Sequence, residues 1–137
     1  MRTVLFSAML LALLGCQTGP QDTRAALTPL SDKGPPPSYA EVLTRARAQA
    51  EIANAAFYRN NWNEVQDAAR ALDSTAQAMP RAYDVPPTQK ANLNELSTQL
   101  TREATTLMSA AKSMDEKGVN ECMTRITLAV RKMRLDQ

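Results

Sequence analysis

Ser38-Tyr39-Ala40-Glu41-Val42-Leu43-Thr44-Arg45-Ala46-Arg47-Ala48-Gln49-Ala50-Glu51-Ile52-Ala53-Asn54-Ala55-Ala56-Phe57-Tyr58 is the run that decides the fold. Its apolar positions Tyr39, Leu43, Ala46, Ala50, Ala53 and Phe57 advance by 4, 3, 4, 3 and 4. That is the period of one helix face and not the alternation of a strand. The run opens on Ser38-Tyr39-Ala40-Glu41, a capping box in which the serine oxygen takes an orphan N–H and the glutamate reaches back. A helix is therefore predicted to start at Ser38, directly behind Pro35-Pro36-Pro37.

Working outward, the same pattern recurs three times. Arg59-Asn60-Asn61 breaks the first helix, and Asn61-Trp62-Asn63-Glu64 opens a second whose seam is Trp62, Val65, Ala69, Leu72, Ala76 and Met79. Pro80 closes it, and Arg81 to Pro87, with Pro86-Pro87, reads as a crossing loop. Thr88 is the expected cap of a third helix with the seam Leu93, Leu96, Leu100, Ala104, Leu107, Ala111 and Met114. Asp115 and Gly118 mark a tight turn. The fourth helix follows with Val119, Cys122 or Met123, Ile126, Ala129 or Val130, and Met133. Four seams and three connections predict an all-α fold, an antiparallel up-and-down four-helix bundle over residues 38–137, with helices about 30 Å long. Ala53 to Pro80 loosely echoes a tetratricopeptide helix pair, but no second copy follows.

Upstream, Met1-Arg2-Thr3 is a short positive start and Val4 to Leu14 an apolar run broken only by Ser7. The run is too short to span a bilayer. Leu13-Leu14-Gly15-Cys16 resembles the lipobox of bacterial lipoproteins. That resemblance implies cleavage between Gly15 and Cys16 and a diacylglycerol on the Cys16 sulfur. Residues 1–15 are then a signal peptide, and Cys16 is the membrane attachment. Gln17, where an aspartate would signal retention, implies the periplasmic face of the outer membrane. From Gln17 to Pro37 the chain carries Gly19-Pro20, Pro29 and Gly34-Pro35-Pro36-Pro37 with few apolar residues, so residues 16–37 are expected to form an extended, disordered tether.

Composition removes several function classes. The 137 residues hold no histidine, which excludes a His-ligated haem, a Cys-His zinc site, a Ser-His-Asp triad and a His general base. A net charge of +2 gives no argument for nucleic acid, and two cysteines are too few for a disulfide scaffold.

The seam spacing, the long second loop, Ala110-Ala111-Lys112 to Asp115 and the basic stretch Arg125 to Arg134 together resemble the cytochrome b562 and cytochrome c′ type of periplasmic bundle, over Ser38 to Leu135. The haem ligands of that family do not carry over. Ile126-Thr127-Leu128-Ala129-Val130 stands where c-type members place Cys-x-x-Cys-His, and Ser38 to Tyr58 lacks the methionine of b-type members. The resemblance thus implies a haem-free relative with no cofactor. Dimers through the first two helices are common in that family, which marks the small apolar stripe Ala48, Ile52 and Ala55 as a candidate homodimer face.

The remaining candidates each have a structural explanation. Cys122, on the fourth seam, is either a buried small hydrophobe or a thiol for redox pairing. Met108, Met123 and Cys122 form the one soft-metal set considered, yet the methionines are spread along the core as gap fillers and no metal site is assigned. Arg125, Arg131, Lys132 and Arg134 complement the negative end of the fourth helix. No carboxylate has a partner base or nucleophile, so no catalytic residue is assigned. The expected function is a non-enzymatic lipoprotein module that binds an envelope protein or component. The alternative is a sensory bundle holding a small apolar ligand or soft metal.

Overall fold

The computed structural model describes residues 20–31 and 33–134, and every regular element among them is helical. Four long helices, α2 (Tyr39–Tyr58), α3 (Trp62–Ala78), α5 (Leu93–Lys112) and α6 (Glu116–Lys132), are joined by short α4 (Pro87–Lys90) and preceded by α1 (Pro20–Leu27). A 3-10 turn, Met79–Arg81, ends α3. None of the described helices is long and apolar enough to cross a membrane.

The helix starts follow the capping residues, with two departures. Ser38 Oγ accepts the Glu41 N–H at 3.0 Å, but the reciprocal half of the box is not made, because the Glu41 carboxylate takes the Arg45 Nε at 3.2 Å instead. At α3, Asn61 Oδ1 accepts from Glu64 N at 3.3 Å while its Nδ2 donates to Glu64 Oε2 at 2.9 Å. Thr88 does not cap the third long helix. Pro87, with its φ fixed for a first helical turn, starts α4 there and leaves Thr88 inside it, so the long helix begins only at Leu93. The turn before α6 also differs from expectation. Met114, not Gly118, takes the left-handed conformation, with φ 54°, and lies 64% exposed beyond the helix end. The third seam therefore stops at Ala111.

Asp115 caps α6 by accepting Gly118 N–H at 3.0 Å. Gly118 sits inside the helix, where glycine costs about 1 kcal/mol relative to alanine. Its hydrogen leaves room for the Asp115 carboxylate, into which a Cβ would run. Alanine there would displace the cap that satisfies one of the orphan N–H groups of α6.

The apolar seams meet in one core. Val65, Leu100, Leu107, Val119, Ile126 and Met133 are fully buried, and all predicted seam residues of α5 and α6 except Met114 join them. Each long helix packs on the next, α2 on α3, α3 on α5 and α5 on α6, and α6 returns to α2. Facing two neighbours buries a second row, Val42, Gln49 and Ala56 on α2 and Ala68, Ala71 and Ala78 on α3, which a single seam does not reveal. Buried polar contacts pin the helix ends. Tyr39 Oη donates to Met133 O at 2.8 Å, Ser97 Oγ to Ala76 O at 2.7 Å, and Gln89 Nε2 to Lys132 O and Arg134 O at 3.1 and 3.2 Å. The last two occupy carbonyls that a helix C-terminus leaves open.

The expectation of an extended tether over residues 16–37 is corrected by α1. This helix packs on α2 and α3. Leu27 lies against the core, and Pro37 is buried. Arg45 Nη1 donates to Thr28 O at 3.0 Å and Ala25 O at 3.5 Å, and the buried Gln49 donates through Nε2 to Ala26 O at 2.9 Å. Farther on, Arg81 Nη2 donates to Ser31 O at 3.3 Å. The prolines and glycine set the segment's turns, while two long side chains of α2 satisfy the open carbonyls at the end of α1. Composition alone gave no sign of these donors.

Candidate functional site

Gly15 and Cys16, the predicted cleavage and lipid-attachment residues, lie outside the described residues, as does the signal peptide. The other predicted residues fall in three separate places.

Cys122 is a free thiol buried on the inner face of α6, 1% exposed. Burial pushes its pKa above the ordinary value, and the nearby Glu103 adds to this, while Arg125 pulls the other way. Arg125 bridges α6 to α5, donating through Nε to Glu103 Oε2 at 2.8 Å and through Nη2 to the Cys122 sulfur at 3.2 Å. The hydrogen bond to Glu103 raises the Arg125 pKa further, so the guanidinium stays charged. Its cation against the sulfur opposes a second cation there, which argues against Cys122 as a ligand in the Met108, Met123 and Cys122 set. Met123 is buried and Met108 half-buried. Among the described residues, no group of three or more His, Cys, Asp or Glu could hold a metal ion.

The stripe Ala48, Ile52 and Ala55 does not remain one open surface. Ala48 borders a recess shared with Ala25 and Ala26 of α1, Ile52 is half-buried against the core, and Ala55 alone is exposed.

The seams did not single out a groove of ≈ 500 Å³ between α2 and α6. Of the four long-helix contacts, α2 with α6 is the least extensive. The floor is Ala50, Met123 and Val130, all buried, with Leu128 half exposed at the lip. Arg47, Arg131 and Arg134 stand around it with Glu51, and Asn54 and Asn120 close the far end. Among the described residues Arg45 pairs with Glu41, Arg59 with Glu64, Arg70 with Asp67 and Arg125 with Glu103, while Arg102 on α5 has no ion pair. Arg47, Arg131 and Arg134 have no ion pair among the described residues. The sequence signal was present as unmatched arginines beside an alanine seam, but only the packing of α6 on α2 brings them together.

The chain matches no protein-family model, no curated protein and no solved structure.

Proposed function

We propose that this chain is a non-enzymatic lipoprotein of the bacterial envelope, anchored through a lipidated Cys16 at the periplasmic face of the outer membrane. Its antiparallel up-and-down four-helix bundle serves as an interaction module for another envelope component. What supports the interaction-module reading is the packed core, in which side chains such as Leu100, Leu107 and Ile126 are fully buried. The Tyr39 to Met133 and Ser97 to Ala76 contacts, each joining the start of one helix to the end of another, support the antiparallel arrangement. The lipobox resemblance supports the anchor. A homodimer through Ile52 and Ala55 belongs to this reading, with Ala48 given over to the recess beside α1.

The test of the anchor is metabolic labelling with an alkyne fatty acid in a bacterial host. The wild-type chain takes up label, and Cys16→Ser does not. Unlabelled wild type, or label that persists in Cys16→Ser, contradicts the proposal.

A further inference from the structure

We infer that the groove between α2 and α6 is a binding site for a single-chain amphipathic anion, an acyl or alkyl chain ending in a phosphate or carboxylate. The inference goes beyond the interaction module proposed above and does not depend on lipid attachment at Cys16, because it stands on the groove alone.

Three observations converge. The first is shape. The groove follows α6 from Asn120 to Arg134, about 20 Å at 1.5 Å per residue, and its ≈ 500 Å³ sits in the lower half of the roughly 300–1,000 Å³ of small-ligand sites. That length matches one extended chain. The second is the floor, where Ala50, Met123 and Val130 with Leu128 at the lip offer apolar surface interrupted by Thr124 and Thr127, and Met123 can adjust its thioether to a flexible chain. The third is charge. Among the described residues, three arginines without an ion pair line the groove with one such carboxylate, Glu51.

Arg131 and Arg134 alone could be explained by the negative end of α6. Arg47 cannot, since it lies in the body of α2, two residues beyond Arg45, which is already matched. Its side chain leans toward the N-terminal end of α2. The Tyr39 to Met133 contact sets that end beside the end of α6. The three guanidinium groups therefore belong to one end of the slot, and the asparagines to the other. Arginine forks recognise phosphate and carboxylate oxygens by paired N–H donors. An uncharged amphiphile leaves those donors unused, and a free anion leaves the apolar floor uncovered.

The experiment is isothermal titration calorimetry of dodecyl phosphate, kept below its micelle concentration, into the full chain carrying Cys16→Ser, so that no attached lipid competes. One saturable site is expected. Arg47→Gln combined with Arg131→Gln, both on exposed side chains, should weaken it at least tenfold, and Leu128→Glu should do the same by placing a carboxylate at the lip. Circular dichroism melts should show all variants folded. Dodecyl maltoside and inorganic phosphate should each bind at least tenfold more weakly than dodecyl phosphate. The inference is overturned if no saturable binding occurs, if the arginine variants bind as well as the parent, or if inorganic phosphate alone binds as tightly as the amphiphile.

Discussion

A single residue shows how burial decides chemistry in this fold. Cys122 is a thiol in the chain and, once folded, an apolar filler with a guanidinium on one side. Nucleophilic attack needs the thiolate, and burial raises the pKa, so the thiolate is scarce at neutral pH. We expect the native thiol to react with iodoacetamide at least a hundredfold more slowly than the urea-unfolded chain at pH 8. Equal rates would show that the site is open. The same shift makes stability pH-dependent. The folded state holds the Cys122 proton more tightly than the unfolded state does, so its contribution is fully present below the ordinary thiol pKa and is lost as pH rises through the raised folded value. The urea midpoint should therefore fall above pH about 9 in the wild type, and Cys122→Ala should lack that part of the fall.

At the scale of elements, local signals and packing have different authority. The starts of α2, α3 and α6 were legible because Ser38, Asn61 and Asp115 each offer a side-chain oxygen to an N–H three residues on. The seams were legible because a helix must turn one face inward. Thr88 misled because its neighbour Pro87 begins a turn of its own, and Met114 misled because the periodicity runs one step past the helix end. Segment α1 was illegible for another reason. Its eight residues are too short to form a stable helix alone, and it exists by docking on Arg45 and Gln49, which are far away in sequence. The groove was hidden likewise: each arginine reads as a solvated charge until α6 is laid on α2.

Docking of α1 gives an element-scale prediction. Arg45→Ala with Gln49→Ala removes the donors to Ala25, Ala26 and Thr28, contacts worth about 1–2 kcal/mol together. Backbone hydrogen exchange over residues 23–31 should then accelerate roughly tenfold or more, while α5 stays as protected as before. Unchanged protection over 23–31 would show that other contacts hold α1. Loss of protection throughout α5 would show that the two side chains support the whole bundle.

At the scale of the whole molecule, the docked α1 changes the geometry of anchoring. A free tether from Cys16 to Ser38 would hold the bundle about 25 Å from its attachment, by the random-coil relation for such a linker. With Pro20 already part of a helix packed on α2 and α3, the anchor proposed at Cys16 would leave four residue steps to the folded body, at most about 14 Å. On the proposed anchor, the protein would be held close against the lipid surface. The arginine-lined groove would lie within reach of amphiphiles leaving the bilayer.

That distance is the most direct test of the account. Neutron reflectometry on a supported bilayer carrying the full lipidated chain should find protein density beginning within about 14 Å of the headgroups, after a high-salt wash that removes charge-held protein. A hydrated gap of about 25 Å would show that residues 16–37 are a free tether, and a layer that the wash removes would show that no lipid holds the chain.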